Sequence, residues 1–169
     1  WLLDDGARLA PGTAVAEVEG RARAVLGAER TFLNLLCHLS GVATLTAAYV
    51  RAAAPAAVLD TRKTTPGMRG LEKAAVVAVG GANHRMGLFD AVLVKDNHLV
   101  AAGGLDAALG ALARTHPGVP VQVEVDSLEQ LERVIGSGVL AVLLDNMAPA
   151  LVTKAVRMVR AAPDGARCW

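Results

Sequence analysis

Charged side chains follow each of four short apolar runs in this 169-residue chain. The runs are 56–59, 91–94, 119–123 and 140–144, and the polar groups after them begin at Asp60, Lys95, Glu124 and Asp145. In α/β barrels and open parallel sheets, ligands bind where the carboxyl ends of the strands meet. A lone charge at a strand end is commonly just solvated, but four dense groups of both signs favour a binding site.

Cationic side chains are concentrated in the segments that follow the first two runs and in the stretch between them. Arginine binds carboxylates and phosphates through two parallel hydrogen bonds, which suits multiply charged anions. The cations therefore predict a pocket for a substrate that carries several carboxylates or phosphates. They are Arg62, Lys63, Arg85 and Lys95, with His84 and His98 nearby.

Two carboxylates, Glu124 and Asp145, follow neighbouring predicted strands and are expected to face one another. Beside a polyphosphate, Mg²⁺ retains several waters and needs only one or two protein carboxylates. These residues therefore predict a site for a polyanion with Mg²⁺, and phosphoryl or phosphoribosyl chemistry is the natural class. A Gly-rich mononucleotide loop is not indicated, because the spacing of Gly80-Gly81 and Gly103-Gly104 does not fit one.

Helical stretches separate the apolar runs, at about 69–79, 105–115, 127–136 and 149–161. Alternating strand and helix predicts an α/β fold with parallel strands and crossover helices. Upstream, turn signals at Gly12 and Gly20 predict a small β-hairpin within residues 1–27. Residues 28–53 show helical spacing of apolar side chains, with Gly41 as a candidate break between two helices.

Composition excludes several classes of protein. Hydrophobic residues make up 53% of the chain, so a sizeable core is expected. The net charge of +1 argues neither for nor against nucleic acid, but the sequence has no basic run that would bind a phosphate backbone. Two cysteines are too few for a disulfide framework, and Cys37 is expected to be a small core residue. No signal peptide or membrane-spanning run is predicted, which favours a cytoplasmic protein. Residue 1 is Trp, so the natural start is expected upstream.

A resemblance to a known family rests on motifs spread through most of the chain. The segment Asp60-Thr61-Arg62-Lys63-Thr64-Thr65-Pro66-Gly67 resembles a hallmark of quinolinate phosphoribosyltransferase. Five further blocks match in order, which makes the resemblance specific. They are Glu29-Arg30-Thr31 with Leu33-Asn34, Asn83-His84-Arg85 with Gly87-Leu88, Lys95-Asp96-Asn97-His98, Val123-Glu124-Val125 and Leu144-Asp145-Asn146.

The resemblance implies a fold, a reaction and an assembly. The fold would be an incomplete α/β barrel preceded by the remnant of an N-terminal α/β sandwich domain. Residues 1–27 would be that remnant, 28–54 connecting helices and 55–169 the partial catalytic barrel. The reaction would join quinolinate to phosphoribosyl pyrophosphate, giving nicotinate mononucleotide, CO2 and pyrophosphate with Mg²⁺. The assembly would be a homodimer or larger.

The same resemblance assigns roles to particular residues. Arg62, His84 and Arg85 would hold the two carboxylates of quinolinate, while Lys63 and Lys95 would lie among the anionic groups of both substrates. Glu124 and Asp145 would bind the ribose hydroxyls and Mg²⁺. The contact of these carboxylates with the metal would be direct or indirect. Thr61 would act through its hydroxyl or backbone, and Arg30 would reach the neighbouring subunit's site. The catalytic residues would be Lys63, Lys95, Glu124 and Asp145.

The sequence also departs from the family pattern. It is expected to be shorter than a complete member, without the last barrel strands, and its tail, residues 165–169, is unlike the strand expected there. Glu72 and Lys73 are expected to have solvated or supporting roles on a helix. Two alternatives stay open: a related molybdenum-transport-associated pyrophosphorylase-like protein, and an inactive fragment that retains a dimerisation surface on the helix 28–53.

Overall fold

The computed structural model describes residues 1–162 and the backbone of Arg167–Cys168. The chain divides into two compact units, Trp1–Met86 and Gly87–Trp169, and each is described by itself. The divisions expected after residues 27 and 54 remain predictions.

The first unit is built on one long helix, α1, which covers Ala22–Ala53. A second helix, α2, covers Arg69–Val77 and packs against α1. Leu33, Leu36 and Leu39 belong to a half-buried stripe that continues along α1 beyond Gly41. The predicted break at Gly41 is therefore wrong. A glycine within a helix costs only about 1 kcal/mol, and packing of the apolar stripe offsets this.

The helix α1 is long enough and apolar enough to cross a membrane, by length and composition alone. This differs from the expectation that no run of the sequence meets those criteria. A core helix of a water-soluble protein passes the same test, and the α1 stripe packs against α2. The finding is therefore weak evidence for a membrane span.

The predicted hairpin is wrong, because residues 1–20 contain no strand. A single backbone bond joins this segment across its length, from Leu2 N to Val15 O at 3.0 Å. Nearly all side chains in residues 1–20 are exposed. The apolar side chains of the alternating pattern thus stay largely exposed within the described unit. A short hairpin is stable only when one of its faces is buried.

The predicted strand at 56–59 is reduced to one parallel bridge, between Leu59 and Ala82. Ala82 N donates to Val58 O at 2.8 Å, and Asp60 N donates to Ala82 O at 3.0 Å. The next amide of the partner segment, His84 N, donates to the Asp60 side chain instead of a backbone carbonyl. A side chain has taken the position of the next ladder bond, so the pairing ends there.

The second unit contains a parallel sheet with helices between successive strands, which confirms the predicted α/β class. The sheet order is β1-β2-β3-β4. The strands are β1 Val92–Val94, β2 Val121–Val125, β3 Ala141–Leu144 and β4 Arg167–Cys168. The helices are α3 Asp96–Ala102, α4 Leu105–Thr115, α5 Leu128–Val134 and α6 Pro149–Ala161.

The core of this unit lies between the sheet and its helices. Val123 of β2 and Val142 of β3 are fully buried, as is Leu131 of α5. Val159 of α6 is also part of this cluster. Both faces of a parallel sheet are normally covered by helices, which explains why β1 and β3 are continuous apolar runs in the sequence.

Three local features of the second unit differ from the sequence predictions. β2 begins at Val121 rather than residue 119, since Pro120 has no N–H to donate, and it extends to Val125 rather than 123, so Glu124 lies within the strand. The polar segment that starts at Asp96 forms a helix, α3, which was not predicted. The tail pairs with β3 through Arg167–Cys168, so it does continue the sheet, and the rest of the segment 165–169 lies outside the described residues.

Candidate active site

The segment 61–67 of the first unit forms a tightly bonded loop before α2. Thr61 Oγ1 accepts a hydrogen bond from Lys63 N at 3.0 Å. Met68 N donates to Thr65 O at 3.0 Å across Pro66 and Gly67, and the φ of Gly67 is 78°. Proline followed by a left-handed glycine is typical of a type II turn. The hallmark sequence thus fixes the loop backbone, on which Arg62 is half-buried and Lys63 is exposed.

Arg62 has a buried nitrogen that lacks a partner. Its side chain is half-buried, and Nε forms no hydrogen bond within the part of the chain that the structure describes. A buried donor left unpaired costs about 1–3 kcal/mol, and such donors are rare in folded proteins. The guanidinium also has no carboxylate partner among the described residues, and a guanidinium binds carboxylates through paired N–H groups.

The segment 83–85 lies beside this loop. His84 N donates to Asp60 Oδ1 at 2.9 Å. This bond joins the segment that carries His84 to the residue directly before Thr61. The His84 and Arg85 side chains are half-buried, and both have partners. The structure therefore brings the predicted acceptor-binding residues of the first unit into two adjacent segments.

Behind these segments lies a buried ion pair between Lys73 of α2 and Asp60. Their side chains are 1% and 6% exposed. Lys73 Nζ also donates to His84 O at 2.9 Å. The expectation that Lys73 has a solvated role is therefore wrong, and a supporting role remains.

Glu72 joins α1, α2 and the hallmark loop. His38 Nε2 donates to Glu72 Oε1 at 2.8 Å, and Thr65 N donates to Glu72 Oε2 at 3.3 Å. The hydrogen bonds from His38 and then Thr65 lower the pKa of the Glu72 carboxyl below its usual range, because they stabilise the charged form. Cys37, beside His38 on α1, is exposed, so its predicted core position is wrong.

In the second unit, Lys95 and Glu124 form an ion pair. Lys95 Nζ donates to Glu124 Oε2 at 2.6 Å, and the side chains are 44% and 15% exposed. Val94 is in register with Val123, so Lys95 and Glu124 occupy the same row at the carboxyl ends of β1 and β2. The cation and the carboxylate thus partly neutralise each other until a charged ligand competes for them.

Asp145 directly follows β3, and its amide donates to Val125 O at 2.9 Å. Glu124 is in register with Leu143, two residues before Asp145, so Glu124 and Asp145 lie on the same face of the sheet. Asn146 has a φ of 51°, and its Nδ2 donates to Asp145 Oδ2 at 3.0 Å. Asparagine is among the few residues that tolerate this left-handed conformation, and here it orients the carboxylate.

Glu124 and Asp145 fit Mg²⁺ only if a substrate supplies the other oxygen ligands. Among the described residues there is no group of three or more His, Cys, Asp or Glu side chains that would enclose a metal ion. Glu124 and Asp145 on one face supply the one or two carboxylates that Mg²⁺ takes when a substrate provides the remaining oxygens. The donor set therefore fits a metal that enters with a phosphorylated ligand.

Arg30 has an exposed position compatible with its predicted role, whereas His98 has a contact that the sequence did not indicate. Arg30 is exposed on α1 and forms no ion pair in the described part of the chain. His98 Nδ1 accepts a hydrogen bond from Lys95 N at 3.0 Å, so this imidazole caps the start of α3. The sequence predicted only that His98 lies near the pocket cations, and the capping role is additional to that prediction.

The sequence reasoning missed the importance of Asp60, Arg69 and Lys73. Arg69 donates to the carbonyl of Arg62 at 3.3 Å, the hydroxyl of Thr64 at 3.3 Å and the carbonyl of Met86 at 3.2 Å. Arg69 and Lys73 are four residues apart on α2 and therefore share a face. This spacing, directly after the hallmark, was the available signal.

Comparison with known families gives a match over nearly the whole chain. The family described as "Quinolinate phosphoribosyl transferase, C-terminal domain" matches residues 42–166, and the corresponding N-terminal domain matches residues 1–40. The two matched ranges meet within α1.

Individual relatives agree with this match. The chain is 50% identical over 148 residues to "Nicotinate-nucleotide pyrophosphorylase [carboxylating]" of Mycobacterium leprae, covering 86% of this chain and 52% of that protein. A probable enzyme of the same name from Synechocystis is 43% identical over 164 residues, covering 95% and 56%. The chain thus spans about half the length of the curated relatives it matches.

Solved structures agree as well. NadC from Streptococcus pyogenes is 42% identical with a TM-score of 0.89, covering 99% of this chain and 59% of that one. The nicotinate-nucleotide pyrophosphorylase of Francisella tularensis is 39% identical with a TM-score of 0.85, covering 96% and 59%. The parallel sheet is consistent with an incomplete α/β barrel of this type. By its motifs, its fold and these matches, the chain belongs to the quinolinate phosphoribosyl transferase family.

Proposed function

We propose that this chain acts in phosphoribosyl transfer from phosphoribosyl pyrophosphate to quinolinate, with loss of CO2 and pyrophosphate, giving nicotinate mononucleotide for NAD biosynthesis. The observation that carries the proposal is that Arg62, which has no carboxylate partner among the described residues, lies on a loop bonded to the segment with His84 and Arg85. Quinolinate bears two adjacent carboxylates. A dianion of this kind supplies the acceptor oxygens that this cationic loop lacks.

The chemistry requires two anionic substrates to approach one another. The cations Arg62, Lys63 and Arg85 reduce that repulsion and orient the acceptor so that its ring nitrogen faces the ribose carbon. The new C–N bond forms with the nitrogen's electron pair while the C–O bond to pyrophosphate breaks. The ring nitrogen is then positively charged and stabilises the electron pair left on the adjacent ring carbon when its carboxylate leaves as CO2, and that carbon then takes a proton from solvent.

Residues of the second unit are assigned to the phosphoribosyl donor. Glu124 and Asp145 on one sheet face are suited to the ribose hydroxyls, and a nearby carboxylate stabilises positive charge that develops at the ribose carbon. Lys95 is paired with Glu124, and a pyrophosphate group would compete for its ammonium. Mg²⁺, bound with the donor near Glu124 and Asp145, would supply charge stabilisation of the departing pyrophosphate.

We also propose that the active form is a homodimer or larger, with Arg30 reaching the neighbouring subunit's site. The exposure of Arg30 on α1 supports this. Sedimentation of the purified chain measures the assembly. Mixing an Arg30→Ala chain with a Glu124→Gln chain should restore activity that neither has alone, and no recovery in mixed dimers would contradict a role of Arg30 across the interface.

A cytoplasmic location is proposed with the function. Relatives in plants carry names that include "chloroplastic" and "mitochondrial", so location varies among the similar proteins. Fractionation of the source cells, with an antibody against the chain, tests the proposal. The related molybdenum-transport-associated alternative is not favoured, since the relatives named above are carboxylating pyrophosphorylases.

The test of the reaction uses the purified chain with quinolinate, phosphoribosyl pyrophosphate and Mg²⁺. Nicotinate mononucleotide is followed by mass spectrometry, and quinolinate binding is measured separately by calorimetry. Product that depends on Mg²⁺ supports the full proposal. Quinolinate binding without product supports the acceptor site and indicates a fragment that needs further chain. Absence of both would contradict the proposed function.

A further inference from the structure

Helix α2 presents two cations to the segments that carry the proposed acceptor site. Lys73 lies one turn after Arg69, and neither side chain points to a ligand position, because their donors are used by the protein itself. Each cation contacts both segments, 60–64 and 83–86. The two residues therefore link parts of the chain that are about twenty residues apart in sequence and joined by one β-bridge.

The inner link is the buried one. Lys73 pairs with Asp60 and donates to His84 O, while His84 N donates back to Asp60 Oδ1. With its amide nitrogen facing the two acceptors, Asn83 donates to Asp60 Oδ2 at 2.6 Å and to Lys73 O at 3.2 Å. Both polar groups of the His84 backbone are thus fixed by one ion pair.

The outer link is made by the Arg69 guanidinium. Each of its three nitrogens donates to a different oxygen. Nε donates to Thr64 Oγ1, Nη1 donates to Met86 O, and Nη2 donates to Arg62 O. The fork geometry of arginine allows this, whereas a lysine ammonium on a flexible stem does not reproduce it. Arg62 is held by its carbonyl, and its side chain forms no ion pair among the described residues.

We infer that Arg69 and Lys73 are positioning residues, which hold the segments 60–64 and 83–86 so that Arg62, His84 and Arg85 converge on one dicarboxylate. The inference rests on the proposed function for the identity of that ligand. A buried ion pair is weak evidence of net stability, because desolvation opposes the attraction between the charges. Its retention here is explained by what it orients, since fixing a site to within about 0.5 Å needs such support.

The variants separate positioning from folding. Lys73→Met leaves the Asp60 carboxylate buried and unpaired, so it can fail to fold. The double change Asp60→Asn with Lys73→Met removes both charges and avoids that problem. Arg69→Lys keeps the charge while removing the three-way link. Lys154→Met, at an exposed lysine of α6, is the matched control.

Calorimetry of the chain with quinolinate and with phosphoribosyl pyrophosphate gives the first readout. We expect the double variant to bind quinolinate about tenfold more weakly or worse, since small displacements of a preorganised site have large effects. Arg69→Lys should weaken binding by about threefold or more. Affinity for the donor should change by less than about threefold in both, whereas a collapsed fold would weaken both ligands equally. A folded double variant that binds quinolinate like the wild type would overturn the inference.

Amide hydrogen exchange gives a readout that does not depend on the proposed function. In the double variant, peptides that cover 83–86 should exchange about tenfold faster or more, while peptides from α1 and from the Lys154→Met control should match the wild type. If the wild type binds no quinolinate but this acceleration occurs, the proposed function fails and the positioning role stands. Unchanged exchange at 83–86 would overturn the positioning role whether or not quinolinate binds.

Discussion

At the scale of single residues, the ionic groups of the candidate site differ in what they contact. Arg62 has a buried nitrogen without a partner among the described residues, whereas Lys95 is already paired with Glu124. Arg62 has no carboxylate partner among the described residues, so its guanidinium can bind an anion without first releasing another. A paired donor must instead exchange one anion for another. We therefore expect Arg62 to dominate the affinity for the acceptor.

The first prediction concerns Arg62. Removing one charge-assisted contact costs about 1.5–3 kcal/mol, so Arg62→Ala should lower turnover efficiency, or quinolinate affinity in a chain without turnover, by about tenfold or more. Arg62→Lys should recover little of the affinity or turnover efficiency lost in Arg62→Ala, because lysine has no Nε to occupy the buried position. Calorimetry and initial rates measure both, with the exposed Arg157→Lys change as control. Near-native behaviour of Arg62→Ala would refute the assignment.

The second prediction concerns Glu72. Its lowered pKa means that the charged form stabilises the fold above about pH 4.5, the ordinary value, and that this contribution is lost as pH falls through the folded-state pKa. The wild type should therefore exceed Glu72→Gln in free energy of unfolding by about 1 kcal/mol at pH 6, and the difference should shrink towards pH 3. Urea unfolding at several pH values measures this. A constant difference across that range would contradict the assigned cause.

At the scale of elements, α2 organises the first unit. Arg69 and Lys73 lie on one face of α2 and bond to the segments 60–64 and 83–86. Glu72 connects α2 to His38 of α1 and to Thr65. The turn after the helix is equally constrained. Gly80 has a φ of 89°, and Gly81 N donates to Val76 O at 3.1 Å. The segment that carries His84 leaves the helix through this turn.

The third prediction concerns Gly81. A Cβ there would lie 2.9 Å from Val76 O and 2.6 Å from Val76 Cγ1, closer than real Cβ contacts. Gly81→Ala should destabilise the first unit by about 1–3 kcal/mol, because the backbone must move. Gly70→Ala, in α2 with no atom within 4 Å, is the matched control and should stabilise by about 0.5–1 kcal/mol. Chemical unfolding measures both, and equal effects would argue against the close approach.

At the scale of the whole molecule, the chain forms two compact units, and each contains some of the candidate functional residues. The first holds Arg62, His84 and Arg85, and the second holds Glu124 and Asp145. Each unit has its own structural basis, which is a pair of packed helices in the first and a parallel sheet with a buried cluster in the second. A substitution in one core is therefore expected to act first on the unit that contains it.

The fourth prediction concerns the core of the second unit. Leu131 is fully buried, so Leu131→Ala should destabilise this unit by about 2–5 kcal/mol through lost burial and a residual cavity. Leu140→Ala, at a side chain that is 48% exposed, should cost about 0.5 kcal/mol. Amide exchange of β2 and β3 gives the local readout. An effect of Leu131→Ala no larger than that of Leu140→Ala would contradict the core assignment.

The sequence alone determined the α/β class and most of the elements that carry the site. Continuous apolar runs with intervening amphipathic stretches predicted β1, β3, α4 and α6 closely, because burial on both faces leaves that pattern. Charged residues at the predicted strand ends indicated Lys95, Glu124 and Asp145 as site candidates, and these residues lie on or beside neighbouring strands, with Glu124 inside β2. Motif order identified the family. These are properties of local spacing, which a single chain records directly.

The tertiary structure alone decided which polar groups meet. Lys73 and Asp60 are 13 residues apart, and Lys95 and Glu124 are 29 apart, so no helical or strand periodicity predicts either pair. The same holds for the strand expected at 56–59, where the Asp60 side chain replaces a ladder bond. A lysine in an amphipathic helix has the same local pattern whether its ammonium is solvated or buried. Only the packing of another segment against that helix removes the water and makes the partner necessary.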